Sequence, residues 1–377
     1  MRIGVLTLPL HTNYGGILQA YALQRVLQDM GHDVVLLDSY PQCPTLNPFP
    51  LQQLFYLKRL LMKVIAPTKA IPLFCEKIDI ERFYKKEHIR QFYRQHVRNV
   101  PFGVGATLNS SDFDALIVGS DQVWRPMYCP NIFDAYLSFA QDWSHVKRIA
   151  YAASFGTAAW EYSEEQTSEC CRLAQMFDAV SVREESGVTL CKEHLGVDAS
   201  WVLDPTLLVD TRHYMEHIAK ADADYPSPMC FGYILDASEE KDAIFHHIAT
   251  TRGLQMSSFQ NVDDPDNSAA PSVESWLKAF QDAEFVFTDS FHGCVFSIIF
   301  NKPFVVYGNV NRGMARFHSL LSMLGLENRL VATLEDAANV ACQPIDWDAV
   351  NNRLSELRKV SKEFLFTSLN LNTKRTL

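Results

Sequence analysis

Residues able to move protons and hold an anion cluster between Glu284 and Gly308, in the stretch EFVFTDSFHGCVFSIIFNKPFVVYG. There Asp289, Ser290, Phe291, His292 and Gly293 stand at the junction between an apolar β-rich run and an apolar stretch of helical length. Histidine exchanges protons near neutrality, and a carboxylate beside it can act as a base. The runs Phe285 to Thr288 and Pro303 to Tyr307 predict strands on either side of a helix. In open α/β sheets ligands bind beyond the carboxyl ends of the strands, and a helix that starts there offers N–H groups and a positive dipole end to an anion. Asp289, Ser290, His292 and Gly293 are therefore expected beside an anionic ligand. A plain structural reading also stands: Asp289 or Ser290 as the helix cap, and His292 as a satisfied first-turn histidine.

Other predicted strand tips carry similar groups. FDALIVGS, Phe113 to Ser120, runs into Asp121, Gln122, Val123, Trp124 and Arg125. Ser120, Asp121, Gln122 and Trp124 suit a sugar or phosphate; the alternative is a loop around a structural tryptophan. Near the start, Arg2 to Leu8 predicts a strand and Asn13, Tyr14, Gly15 and Gly16 a turn. Ile17, Ala20, Tyr21, Leu23, Leu27 and Met30 then recur at helical spacing, and Gly31 ends the helix before a strand over Asp33 to Asp38. G-x-G-x-x-G is absent, so this is not the dinucleotide fingerprint, although the glycines let backbone approach a ligand. Arg183 and Glu184 follow the predicted strand Ala179 to Val182. Asp204, Pro205 and Thr206 follow another, and Arg312 and Arg316 follow the strand after His292.

These tips need two sets of elements to position them. Strand and helix patterns alternate in two runs, broken near Pro226 and Pro228, which predicts an α/β protein of two β/α halves. The first spans 1–210, with a helical excursion over about 41–100. The second spans 211–345, and 346–377 is a closing helix. A length of 377 residues is too great for one ordinary core. The net charge of −10 argues against a nucleic-acid partner. The first residues do not form a signal-peptide pattern, and the longest apolar runs fall far short of a membrane span. Nine scattered cysteines without C-x-x-C read as reduced thiols, which places the chain in the cytoplasm. The helical pairs His213/His217 and His246/His247 read as solvated faces, and no metal site is expected.

Six strings in order, NYGGILQAYALQ, DALIVGSDQVWRP, AYAASFG, AVSVREESG, WVLDPTLL and FVFTDSFHGCVFSIIFNKPFVVYG, resemble the polysaccharide pyruvyl transferase family from Met1 to about Leu330. The resemblance implies two Rossmann-like domains facing a cleft, a GT-B-like arrangement, with the C-terminal helix crossing back to the first domain. It implies transfer of the pyruvyl group of phosphoenolpyruvate onto hydroxyls of a sugar in a cell-surface polysaccharide or its precursor, forming a pyruvate ketal and releasing phosphate. His292 then takes the place of the acid and Arg183 that of an arginine gripping phosphoenolpyruvate, with Asp121 and Asp289 as candidate bases. The chain departs from the family at Ser290, where well-known members carry arginine; Arg312 and Arg316 are the candidates to replace that charge. Neither a cofactor nor a metal is required. The implied partners are phosphoenolpyruvate and a sugar or lipid-linked oligosaccharide, the latter bringing the chain to a membrane surface. Two other readings share the architecture: a GT-B glycosyltransferase using a nucleotide sugar, and a non-catalytic sugar-binding protein.

Overall fold

The central strands of both sheets are buried on both faces, which is why they read as unbroken apolar runs rather than alternating ones. In the computed structural model, which describes residues 1–9, 13–38, 46, 48–65, 74–103, 106–129, 131–259, 270–308 and 313–371, the chain opens with β1 (Arg2–Leu6), α1 (Tyr14–Asp29) and β2 (Asp33–Asp38). The Asn13 side chain accepts from the N–H of Gly15 and starts α1, which crosses over to place β2 parallel to β1. Three helices follow: α2 (Leu51–Ile65), α3 (Cys75–Lys85) and α4 (Glu87–His96). They make up the helical excursion expected over about 41–100, and the last two are separated at Lys86, where Arg90 folds back to donate to the carbonyl of Phe83.

The first sheet is completed by β3 (Asn99–Pro101), β4 (Ala115–Val118), β5 (Lys147–Ala153), β6 (Ala179–Val182) and β7 (Ser200–Trp201), with α5 (Glu164–Ala174) and α6 (Glu185–Leu190) as connections. Its order is β3-β2-β1-β4-β5-β6-β7, all parallel. After α7 (Thr211–Ile218) comes a second parallel sheet. Its elements are β8 (Met229–Tyr233), α8 (Glu239–Arg252), β9 (Gln255–Phe259), α9 (Val273–Asp282), β10 (Phe285–Thr288), α10 (Phe291–Ile299), β11 (Phe304–Tyr307), α11 (Ala315–Leu324), β12 (Leu330–Val331) and α12 (Leu334–Ala341). Its order is β12-β11-β10-β8-β9. Each sheet reverses its direction of growth once, between β1 and β4 in the first and between β8 and β10 in the second. Those two reversals are the topological switch points at which α/β folds form crevices.

The last helix, α13 (Trp347–Asn370), returns to the first sheet. Ser361 accepts from the N–H of Leu203 at 3.0 Å, Arg358 donates to the carbonyl of Leu207, and the Phe364 ring lies 6.2 Å from that of Tyr151. One apolar cluster spans both halves, from Ile3 and Leu18 through Trp276 and Phe296 to Leu365. Within it Tyr14 of α1 stacks on Trp276 of α9 at 5.3 Å. Separate clusters cover the outer face of each sheet.

Candidate active site

Loops leaving the four switch-point strands line a single pocket of about 340 Å³. Pro9 and Asn13 follow β1, Asp121 and Gln122 follow β4, Leu235 follows β8, and Asp289 to His292 follow β10; Arg316 reaches in from α11. Parallel strands put all their carboxyl ends on one edge, so residues as distant in sequence as Pro9 and His292 converge there without a dedicated scaffold.

His292 is 5% exposed and sits in the first turn of α10. Its ring packs on α1 of the other half, where a Cβ on Gly15 would lie 2.0 Å from Nδ1. Gly15 is therefore the seat of the imidazole, not a ligand-facing glycine. Nε2 points towards Asp204 Oδ2 at 3.8 Å and makes no hydrogen bond among the described residues. Burial pushes the histidine down to about 4; Asp204 and Asp121 pull it up, Arg183 and Arg316 push it down. The ring is therefore neutral at pH 7.

Asp204 holds this cluster together, and the sequence signalled it only as an acid behind an apolar strand run. Its Oδ2 accepts from Arg183 at 2.5 Å and from the Ser120 hydroxyl at 3.0 Å, and its Oδ1 from the N–H and hydroxyl of Thr206. Burial raises its carboxyl, but Arg183, His292 and the Thr206 hydrogen bonds outweigh that and hold it at about 2. Asp121 has φ 71°, a left-handed backbone rare outside glycine, fixed by the Ser154 N–H donating to its carbonyl at 3.1 Å. Burial raises its carboxyl too, and Arg183, His292 and Arg316 bring it below the ordinary aspartate value. It is ionised on the pocket wall, 3.4 Å from Arg183 and 4.0 Å from Arg316.

The two arginines differ in place. Arg316 lines the pocket; burial and the like charge of Arg183 lower it to about 10, so an added anion there is favoured. Arg183, expected to grip the ligand, lies behind the wall, bound to Asp204 and Asp121 with its guanidinium 4.4 Å above the Phe291 ring. It acts on the pocket through those carboxylates. Buried Glu184, also missed from sequence, adds a negative charge to both arginines while accepting from Ser154 and Gly156.

Several expected site residues serve structure instead. Asp289 is not placed to act as a base: its oxygens already accept from the N–H groups of Leu235 and Asp236 and from Lys241 at 2.7 Å. The helix cap is Ser290, whose hydroxyl accepts from Gly293 N–H, so that N–H is taken. Gly293 is needed because a Cβ would meet Thr288 Oγ1 at 2.2 Å. Trp124 is fully buried, donates to the carbonyl of Ala135 and stacks on Tyr136 at 4.9 Å. Tyr14 donates to the carbonyl of Pro271, Gly16 is buried in α1, and Ser120 is buried behind Asp204. Asn13, Gln122, Ser290 and His292 do line the pocket. Arg312 lies outside the described residues.

A second cavity, of about 200 Å³ and mostly apolar, shares Leu8 and Pro9 with this wall and extends along the tips of β2 and β4 past Leu37 and Val118. Among the described residues no group of three or more His, Cys, Asp or Glu could hold a metal ion, and no helix is long and apolar enough to cross a membrane.

No curated protein matches the chain in sequence. Among solved structures it is similar to the MnaA–UDP complex of S. aureus (TM-score 0.49, 11% identity, 100% of this chain and 98% of that one). Others are the UDP-GlcNAc 2-epimerase of Methanocaldococcus jannaschii (0.48, 10%, 90% and 91%) and the UDP-N-acetylglucosamine 2-epimerase of Rickettsia bellii (0.47, 10%, 98% and 97%). Overlaps this slight add nothing to the GT-B-like arrangement of two parallel sheets that the strand orders already establish. The sequence profile described as polysaccharide pyruvyl transferase is a different matter, because it matches residues 13–311 and so takes in Asn13 and the loops after β4, β8 and β10. The chain belongs to the polysaccharide pyruvyl transferase family.

Proposed function

We propose that the chain transfers the three-carbon unit of phosphoenolpyruvate onto two hydroxyls of a sugar, forming a pyruvate ketal and releasing phosphate. The observation that carries this reading is the pocket at the two switch points, where a buried neutral imidazole faces an ionised carboxylate and an arginine weakened by its neighbour. Phosphoenolpyruvate brings a carboxylate and a phosphate. Either one paired with Arg316 relieves the repulsion between the two arginines and raises His292, so the substrate itself supplies the acid's proton affinity.

His292 then gives its proton to C3 of the enol, leaving an oxocarbenium centre at C2. One sugar hydroxyl attacks C2 and passes its proton to Asp121. The C2–O bond to phosphate breaks, the second hydroxyl adds to C2, and its proton also leaves to a base. One proton enters at C3 and two leave the hydroxyls, one of them restoring His292 and the other departing with phosphate. The apolar cavity beyond Leu8 and Pro9 gives room for a non-polar part of the acceptor.

Incubation with phosphoenolpyruvate and a panel of water-soluble and lipid-linked glycosides tests this. Phosphate release matched by a pyruvyl mass gain on the sugar is expected. Glycosyl transfer from a nucleotide sugar, with no reaction of phosphoenolpyruvate on any acceptor, overturns it in favour of a glycosyltransferase.

A further inference from the structure

Helix α2 turns Gln52, Tyr56 and Arg59 towards the protein and leaves most of its apolar residues exposed to water. In LQQLFYLKRLLMKVI, positions 52, 56 and 59 share one face. Gln52 on that face is buried, and Tyr56 and Arg59 are half-buried. Arg59 donates through both terminal nitrogens to Glu76 of α3 at 2.6 Å, and Tyr56 meets Phe74 edge-on at 4.9 Å. On the opposite face Leu54, Leu57 and Leu61 are 58%, 55% and 54% exposed. Leu51, Phe55 and Met62 widen that exposed stripe. A helix serving only the fold turns its apolar stripe inward, and a contiguous exposed one marks an interaction surface.

Charge decides what the surface fits. The chain carries a net −10, yet α2 has no acidic residue and exposes Lys58 and Lys63. Lys58 lies within the apolar stripe itself, one residue from Leu57 and three from Leu61. A second copy docked face to face would bury Lys58 in an apolar contact, close to its own duplicate at the middle of the helix. An anionic lipid surface accepts leucines at its acyl boundary and lysines among its headgroups, with the lysine stems laid along the apolar layer. We propose that α2 lies in the plane of an anionic bilayer and docks the protein on it peripherally. The surface needs no particular reading of the reaction, so its failure and that of the pyruvyl transfer chemistry are separable.

Co-sedimentation of the full chain with vesicles tests it. One set is phosphatidylcholine alone, the other carries about one quarter phosphatidylglycerol as the anionic lipid. Binding to the anionic set at least roughly tenfold stronger is expected, weakening with salt. Leu57→Gln/Leu61→Gln should lower that binding by roughly tenfold or more with an unchanged Tm, since both side chains are already exposed. Lys58→Gln and Lys63→Gln should each lower it roughly fivefold, the scale of one surface charge, without affecting neutral vesicles. The idea fails if the wild-type chain ignores anionic vesicles, or if the double leucine variant binds them as well as wild type. It fails too if that variant's effect is to split a dimer seen by size-exclusion with no change in vesicle binding.

Discussion

His292 and His217 are both buried, and burial is the main cause that takes each down to about 4, yet their surroundings differ in kind. His217, on α7, faces the Tyr21 hydroxyl at 3.0 Å and the rings of Phe92 and His96 at 5.1 and 4.6 Å; its neighbours His96, Lys220 and His213 all push the same way as burial. His292 stands between opposed charges, two carboxylates pulling up and two arginines pushing down, and it opens on a pocket. Burial makes a histidine neutral; balanced charge around it makes that neutrality reversible by a ligand. His217 was read from sequence as part of a solvated pair with His213. It is instead a packing histidine between α1, α4 and α7, because its partner Tyr21 lies 196 residues away.

The largest test of this contrast removes a partner on each side. Asp204→Asn strips Arg183 of its closest counter-charge in a buried site and should lower stability by about 3–5 kcal/mol. Tyr21→Phe takes from His217 one neutral hydrogen bond, about 1 kcal/mol. Urea melts that show equal losses break the comparison. Next, His292→Gln should lower turnover by roughly 10²-fold or more with little change in Tm, the scale for a lost general acid. His217→Gln should do the reverse, lowering Tm and sparing turnover. Phosphate release and melting curves on both variants decide it. A smaller step is Gly15→Ala. The new Cβ must displace the His292 ring, at an overpacking cost of about 1–3 kcal/mol, and turnover should fall while no polar group is lost. Wild-type turnover in this variant would mean that the ring position is not critical.

The smallest effect is in pH dependence. Both folded-state values lie below the unfolded histidine value of about 6.5, so the unfolded chain binds more protons between about 4 and 6.5. The stability these residues contribute is complete above that window and is lost as pH falls through it. His217→Gln and His292→Gln should each flatten the slope of Tm against pH there. Inorganic phosphate sharpens the contrast: by NMR it should raise the titration midpoint of His292 and leave that of His217 in place.

The sequence made the elements around the site legible because their signals are local. Apolar runs such as FVFT and ALIV, and helix stops such as Gly31 after α1, need no distant partner to be recognised. His292 was visible for the same reason, as a polar residue at a strand-to-helix junction. Asp204 was not, since its role lies in Arg183, Ser120 and His292, respectively 21, 84 and 88 residues away. The same distance effect misplaced Arg183 and Asp289. Each stands at a strand tip as expected, but a buried partner distant in sequence claims it: Asp204 for Arg183, Lys241 of α8 for Asp289.

Tyr14 stacked on Trp276, inside a core that runs unbroken from β1 to α13, bears on how such a chain can be divided or recombined. The backbone passes from the first sheet to the second between Trp201 and Met229, which looks like a natural place to cut. Either piece alone would present a broad oily flank to water, and the first would also lose the helix that closes it. Exchange of whole halves between related chains therefore requires matched flanks, whereas loop positions outside the Asp204–Arg183 network and the Gly15–His292 contact can vary with less disturbance beneath them. Diversity of substrate in this architecture should accumulate in those loops, not through shuffled halves.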